Sequence, residues 1–312
     1  MYASLVDEVM FAVRQALDTR EIKVANLLGR TKEIASLSEK IKRKKYTNVA
    51  EVPDLAGVRI VCMYSSQTDE VATLIRDEFE ILEALDKSEE LGANRMGYQG
   101  IHFLVKLGPS YSGPRYRSLK GLRCEIQVRT VLQDAWALIS HHLVYKNEDA
   151  VPLRLRRDLN NVTSLLEMAQ SVFDSVEKKR EQYLLEIREN LKVPDDFLLQ
   201  PIDYDTLTAY SSWKFPQLQH SDAWQTRLLQ DLNLNRYAHL RDLDDVVEKA
   251  RDAVAKYRED MPNWFQFSTD FLTKSLGFVD PEFRERHPFG PPTKEAFQKY
   301  KSLVKDAEGK VA

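Results

Sequence analysis

Residues 58–63 (VRIVCM) form a short run of mostly apolar, β-branched side chains in which Arg59 is the one charged residue. A continuous run of this length is typical of a strand buried inside a sheet, because both faces of such a strand meet apolar neighbours. The run therefore predicts a sheet in the N-terminal half of the chain, with helices packed against it.

The rest of the N-terminal half alternates between strand and helix character. Residues 101–107 (IHFLVKL) and 122–129 (LRCEIQVR) alternate like half-buried strands, and shorter extended segments are predicted at 24–28 and 81–85. The spacing of apolar residues predicts helices at 4–18, 32–45, 68–79 and 130–146. Because regular β–α–β repeats are lacking, we expect a mixed α/β fold.

A long helix is predicted after Pro152, extending to about residue 191. Its apolar residues recur at spacings of four and three, which is a heptad seam. The seam consists of Leu155, Leu159, Val162, Leu166, Ala169, Phe173 and Val176. The helix either packs on its own domain or pairs with a second copy in a homo-oligomer. We favour the first, because the seam spans only about three heptads.

The remaining C-terminal part is predicted to be mainly helical. After a boundary at residues 193–201, helices are expected at 242–257, with Asp242 as the N-cap, and at 264–276. The Pro- and Gly-rich stretch 287–293 is expected to be a loop. The predicted organisation has three parts, which are residues 1–150, 151–195 and 196–312.

Composition excludes several classes of function. A net charge of −3 argues against a general nucleic-acid coat protein, yet residues 20–45 contain nine Lys or Arg against three Glu. Such a cluster indicates either a phosphate site or a solvated helix face. Cys62 and Cys124 lie in apolar runs without metal-site spacing, so we expect reduced core thiols. We find no signal peptide or membrane-spanning run, and we expect a soluble, cytoplasmic protein with no membrane partner.

Four side chains near the basic cluster could bind a polyphosphate. On the predicted helix, Lys32, Ser36 and Lys40 are spaced by four and stack along one face, headed by Arg30. Two ammonium groups, a hydroxyl and a guanidinium suit an anion of several charges. Taken alone, this pattern favours a solvated basic helix, because charged helix faces are common.

Two further motifs carry acidic residues. Asp54 stands at the mouth of the 58–63 strand, a position that suits a magnesium ligand or a turn cap after Pro53. In the strand that begins near Cys124, alternation places an acid, an amide and a guanidinium on one surface. These residues are Glu125, Gln127 and Arg129.

Residues 97–102 (GYQGIH) form a glycine-flanked entry to the next strand. Tyr98 offers a flat face for a base, and His102 lies at the start of the strand; a turn with a buried tyrosine is the alternative. Taken together and in this order, the motifs resemble the synthetase domain of the RelA/SpoT family, whose members make the alarmone (p)ppGpp. The resemblance covers roughly residues 20–147, through RxKxxxSxxxK, DLAGVRI, GYQGIH, EIQVRT and the Trp136-Ala137 helix.

The resemblance implies a nucleotidyltransferase-like, five-stranded mixed sheet in residues 1–150. It also implies transfer of the β,γ-pyrophosphate of ATP to the 3′-hydroxyl of GDP or GTP. Arg30 and Arg59 would sandwich the adenine of ATP. Its phosphates would be held by Lys32, Ser36 and Lys40.

The resemblance further assigns the cofactor and the acceptor. Asp54 and Glu125 would carry Mg²⁺, and Tyr98 would stack on the guanine. The remaining acceptor and phosphate contacts would come from His102, Gln127 and Arg129. Three positions depart from the family pattern, which has a lysine near Arg95, a serine at Gly100 and a glutamate at Ser140. They put the identity of the acceptor in doubt more than the chemistry.

No histidine precedes His102, so we expect no hydrolase domain of the kind found in the long family members. The alternative function is that of toxic members, which pyrophosphorylate tRNA 3′ ends or make adenosine alarmones. In that case, residues 196–312 would restrain the enzyme, and residues 42–45 (KRKK) could contact tRNA.

Overall fold

The structure is a computed structural model that describes residues 1–32, 52, 55–86, 100–143 and 152–305. It consists of two compact units, Met1–Lys178 and Lys179–Ala312. The three-part division predicted from the sequence stays a prediction. Of the helices in the described residues, none combines the length and the apolar character needed to cross a membrane.

The first unit contains the predicted alternation of strands and helices. In chain order its described elements are α1 (Tyr2–Thr19), β1 (Asn26–Thr31), β2 (Ala56–Cys62), α2 (Ser65–Glu78), β3 (Glu80–Asp86), β4 (Ile101–Lys106), β5 (Cys124–Thr130) and α3 (Val131–Leu143). Each predicted strand occurs, with ends shifted by a few residues. The helix predicted for 32–45 lies outside the described residues, apart from Lys32.

The strands form one sheet of five in the order β1-β2-β5-β4-β3. β2 and β5 run parallel, whereas the other neighbouring pairs run antiparallel. The sheet is therefore mixed, which confirms the predicted fold class.

One face of this sheet is apolar and packs with residues of α1 and α2. Val58 of β2 lies opposite Ile126 of β5 in the register, and both are buried. Cys62 and Cys124 belong to the same core and are free. Burial raises the pKa of each thiol to about 12. Both are thus core residues, as predicted. Alternation along the strands leaves the opposite face to the polar residues.

The long helix α4 (Leu153–Asn190) forms as predicted, but its seam does not pack as expected. Leu159 is buried against Trp136 of α3. In contrast, Leu155, Val162, Phe173 and Val176 are 42–57% exposed. The expectation that the seam packs on its own domain is wrong for these residues, because the buried side of this part of the helix carries polar side chains such as Thr163 and Gln170 instead.

The second unit is helical, with isolated β-bridges and no longer strand among its described residues. Its helices after α4 are α5 (Pro194–Leu198), α6 (Tyr204–Lys214), α7 (Asp222–Leu234), α8 (Leu240–Asp260), α9 (Ser268–Val279), α10 (Pro281–Arg286) and α11 (Pro291–Lys299). Buried residues of α8 belong to two apolar clusters. One of these clusters contains Leu272 and Leu276, and the other contains Phe278. A mainly helical C-terminal region is thereby confirmed.

Two local predictions for this unit are wrong. The N-cap of α8 is His239, and Asp242 lies at the third helical position, where its carboxylate accepts from the His239 backbone N–H at 3.0 Å. The stretch 287–293 is a loop only until Gly290, because α11 begins at Pro291. A proline at the first helical position costs nothing, since its missing N–H would have had no helical partner there.

Candidate active site

The sheet register alone brings six of the proposed site residues to one face. Residues directly opposite each other in neighbouring strands share a face, as do residues two apart in one strand. Gly57 of β2 lies opposite both Arg30 of β1 and Glu125 of β5. Arg59, two residues after Gly57, lies opposite Gln127.

The register extends the same face to β4. His102 lies opposite Gln127, and Arg129 follows Gln127 by two residues on β5. The alternation that predicted a common surface for Glu125, Gln127 and Arg129 therefore holds. The face opposite the apolar core carries three guanidinium groups, a carboxylate, an amide and an imidazole.

Side-chain hydrogen bonds orient the carboxylate of Glu125. Its Oε1 lies 3.0 Å from Nδ1 of His102, and its Oε2 accepts from Nε2 of Gln127 at 3.1 Å. Nε2 of His102 lies 3.4 Å from Nη2 of Arg129. Because a guanidinium only donates, we assign the neutral histidine tautomer with its proton on Nδ1, donating to Glu125.

Arginine side chains crowd the other end of the face. Nη1 of Arg59 lies 2.9 Å from Oδ1 of Asp134, on α3, and Nη1 of Arg129 lies 3.9 Å from the same oxygen. Burial and the nearby Arg59 lower the pKa of Arg129 to about 10, with a smaller contribution from Arg30, while Asp134 and Glu125 oppose the change. Arg129 therefore stays charged at neutral pH, and the crowded cations favour binding of an anion.

Two polar atoms of this cluster are buried without a hydrogen-bond partner in the described part of the chain. They are Nε of Arg129 and Oδ1 of Asp134. The contact of Asp134 with Arg59 is therefore an ion pair that lacks hydrogen-bond geometry. Buried unpaired groups are costly, so their presence at one site favours a bound ligand that completes them.

The remaining predicted site residues are only partly placed. The backbone N–H of Lys32 donates to the carbonyl of Leu55 at 3.0 Å, which brings the segment after β1 beside the start of β2. Outside the described residues lie Ser36, Lys40, Asp54, Arg95 and Tyr98. Their roles stay predictions.

Sequence reasoning missed Asp134. The available signal was an acidic residue in the first turn of the helix that directly follows the EIQVRT strand. An acid there is common, because it interacts favourably with the helix dipole, so the signal does not stand out. Only the fold shows that this carboxylate faces Arg59 and Arg129.

The donor chemistry of the site fits a magnesium ion. No group of three or more His, Cys, Asp or Glu side chains is placed for a metal within the described residues. Magnesium does not need one, because it is usually held by one or two carboxylates together with substrate phosphates. Glu125 offers carboxylate oxygens, and its side chain is 22% exposed.

Known proteins with similar sequences share this part of the chain. Residues 29–150 match the family model described as the region found in RelA / SpoT proteins. The chain is 30% identical over 174 residues to the GTP pyrophosphokinase YjbM of Bacillus subtilis, covering 49% of this chain and 79% of that protein. It is 25% identical over 144 residues to YwaC of the same organism, also named a GTP pyrophosphokinase, covering 44% and 66%.

Solved structures agree on the fold. Small alarmone synthetase 1 from Bacillus subtilis superposes with a TM-score of 0.50 at 23% identity, over 58% of this chain and 94% of that one. A GTP pyrophosphokinase family protein from Streptococcus pneumoniae gives 0.51 at 21% identity, over 58% and 92%. With the motifs, the sheet and the sequence relatives in agreement, this chain belongs to the RelA/SpoT family of nucleotide pyrophosphokinases.

Proposed function

We propose that this protein transfers the β,γ-pyrophosphate of ATP to the 3′-hydroxyl of GDP or GTP, producing (p)ppGpp. The observation that carries the proposal is the polar face of the sheet, where Arg30, Arg59 and Arg129 gather beside the oriented carboxylate of Glu125. ATP brings about four negative charges, and catalysis of such transfers rests mainly on positioning and charge stabilisation.

Arg30 and Arg59 form the adenine site in this proposal. They lie on the same face of neighbouring antiparallel strands, two pairs apart in the register, so the two guanidinium groups can flank a flat base. The ATP phosphates lie towards the segment after β1, which carries Lys32, Ser36 and Lys40.

Glu125 has two tasks in the proposal. Together with Asp54 it holds Mg²⁺, and the hydrogen bonds from His102 and Gln127 fix the direction in which its carboxylate points. When bound, the ion neutralises phosphate charge and polarises the transferred group. Fixing a carboxylate before the substrate arrives saves the cost of ordering it during the reaction.

The acceptor nucleotide binds beside these groups. Tyr98 stacks on its guanine, and Arg95 supplies the positive charge that other family members place on a lysine nearby. Nε of Arg129, which is buried without a partner among the described residues, donates to a phosphate oxygen. His102 and Gln127 support the reacting end through their contacts with Glu125.

A direct test follows the label from γ-labelled ATP. The protein is incubated with magnesium and, separately, with GDP, GTP, GMP, AMP and deacylated tRNA, and the labelled products are separated. We expect labelled GDP and GTP derivatives, and none from the Glu125→Gln variant, which excludes a contaminating kinase. Label on tRNA or AMP alone would favour the alternative function, and no label on any acceptor would contradict the proposal.

We also propose a homo-oligomer that forms through α4. An exposed apolar stripe on this helix supports it, consisting of Leu155, Val162, Leu165, Met168, Val172, Phe173 and Val176. Exposed patches of this extent usually mark interfaces, and four residues of the stripe also belong to the heptad seam, namely Leu155, Val162, Phe173 and Val176. Light scattering should show a smaller particle for Leu165→Glu with Val172→Glu, but not for the equally exposed Leu185→Glu on the same helix. An unchanged mass would contradict this proposal.

A cytoplasmic location completes the proposal. It is supported by the two buried, free cysteines, which form no disulfide with each other.

A further inference from the structure

We propose that Asp134 is a positioning residue of the ATP site, which holds Arg59 in place for the nucleotide. The inference rests on the proposed function and goes beyond it, because Asp134 contacts the arginines and is assigned no contact with either substrate. The ion pair with Arg59, at 2.9 Å, is the main contact, and Arg129 lies 3.9 Å from the same carboxylate oxygen.

The start of α3 is fixed in a way that aims Asp134 at the sheet. The backbone N–H of Thr130 donates to Oε1 of Gln133 at 2.8 Å, and the N–H of Gln133 donates back to Oγ1 of Thr130 at 3.3 Å. Trp136, in the same helix, is 4% exposed and packs against Leu159. These contacts fix the first turn on both sides of Asp134.

The electrostatics of the cluster require a carboxylate at this place. Besides burial, Arg59 and Arg30 lower the pKa of Arg129, because their guanidinium groups repel its charge. Asp134 opposes that repulsion, and its side chain is only 14% exposed, so solvent screens the interaction weakly. Without it, Arg59 would turn away from Arg129 and from the position proposed for the adenine.

A structural role is the alternative to be separated. An acid in the first turn of a helix stabilises the helix through its dipole alone, wherever it points. Loss of such a role would lower the melting temperature and affect both substrates alike. Loss of a positioning role would affect ATP binding alone, and only while Arg59 is present to be positioned.

The first experiment is Asp134→Asn, with KM measured for ATP and for the acceptor. We expect the KM for ATP to rise about tenfold, the usual size for a lost charge-assisted contact, with the acceptor KM changed less than about threefold. Asp134→Glu, which keeps the charge, should restore most of the loss. The matched control is Asp77→Asn, because Asp77 pairs with Arg20 at 2.7 Å in the same unit but away from the site. It should leave both KM values unchanged.

A double-mutant cycle with Arg59→Gln then tests whether Asp134 acts on ATP binding through Arg59. If Asp134 acts through Arg59, adding Asp134→Asn to Arg59→Gln should change the KM for ATP less than about twofold. Full additivity, or equal increases in both KM values, would overturn the inference.

The same cycle can be read from binding of a non-hydrolysable ATP analogue by calorimetry. If the unaltered protein labels no acceptor, the proposed function fails, but the coupling between Asp134 and Arg59 in analogue binding still decides the inference. If Asp134→Asn does not fold, Asp134→Ser, which also removes the charge, replaces it in the same cycle. Coupling of Asp134→Ser with Arg59→Gln would support the inference, and full additivity would overturn it.

Discussion

Charged side chains are arranged in opposite ways in the two units of this protein. In the second unit, Nζ of Lys214 donates to Asp244 and to Glu248, each at 2.7 Å, so the network is closed. In the first unit, Nε of Arg129 and Oδ1 of Asp134 are buried and have no hydrogen-bond partner among the described residues. The Lys214 network is satisfied within the protein, whereas the Arg129 cluster keeps buried polar atoms that a ligand could complete.

Oε1 of Gln200, in the second unit, is also buried without a partner within the described residues. An amide oxygen is neutral, however, and leaving it unpaired costs less than leaving a charged group unpaired. The two units therefore differ in where charged groups are buried without a full set of hydrogen bonds, which in the first unit is the cluster of Arg129 and Asp134. A fold accepts that cost where binding recovers it, which places function in the first unit and a structural network around Lys214 in the second.

The largest expected effect is on catalysis and tests the polar cluster of the first unit. Glu125→Ala should lower the rate of pyrophosphate transfer more than about 100-fold, because it removes a key electrostatic group, and the same is expected of Asp54→Ala. The melting temperature should stay within a few degrees. Glu80→Ala is the control, since Glu80 pairs with Lys106 at 2.7 Å at the sheet edge. Near-normal activity of either variant in the presence of magnesium would end the metal assignment.

The closed network should respond in stability instead. Asp244→Ala leaves Lys214 and the hydroxyl of Tyr210 without a shared acceptor, since the Tyr210 hydroxyl donates to Asp244 at 2.8 Å. We expect unfolding to become easier by about 2 kcal/mol, from the loss of one partner in a mostly buried network. Urea unfolding measures this, and the KM for ATP should be unchanged. Asp252→Ala, which breaks the half-exposed pair with Lys305, is the control. Equal losses for the two variants would remove the contrast between the units.

Gly100 gives a test inside the first unit. A Cβ atom there would lie 2.0 Å from the carbonyl oxygen of Val128 and 2.8 Å from Cγ of Arg129. Since backbone cannot yield as a flexible side chain can, Gly100→Ala should shift β4 and lower activity about tenfold. Gly108→Ala is the matched control, because its nearest contact would be 3.9 Å away. Normal activity of Gly100→Ala would show that the start of β4 has room to move.

The glycine at position 100, which departs from the family pattern, has a packing reason. At Gly100, where the family pattern implied by the resemblance has a serine, this backbone leaves no space for a Cβ atom. The sequence alone could identify the departure but not its cause. The spacing of residues along the sequence indicates which of them share a strand, whereas the distance between β4 and β5 depends on the whole sheet.

Local patterns were sufficient where the physical cause is itself local. The alternation along β5 placed Glu125, Gln127 and Arg129 on one face correctly, because side-chain direction in a strand follows from the backbone. Contacts made across the fold could not be read this way. Asp134 meets Arg59 only because α3 returns to the sheet, and the exposure of Val162 and Phe173 depends on what the rest of the chain covers.

The ends of helices were only partly predictable from the sequence. Asp242 is indeed a capping side chain, but it works from the third helical position by accepting from the His239 backbone N–H. Either position satisfies an unpaired N–H group of the first turn, so composition alone does not choose between them.

The smallest expected effect concerns charge outside the cluster. Lys42→Glu combined with Lys44→Glu should change the rate with GDP or GTP less than about twofold, because both residues lie beyond the proposed phosphate contacts that end at Lys40. If tRNA were the acceptor, these charges would contact an extended polyanion. Each lost contact would then flatten the log–log salt dependence of binding by roughly one unit. Rates and affinities measured across a salt series decide between the two. We expect the free nucleotide result, since the chain carries a net charge of −3 and the basic run is short. A steep salt dependence in the unaltered protein that disappears in the double variant would instead make residues 42–45 part of a tRNA site.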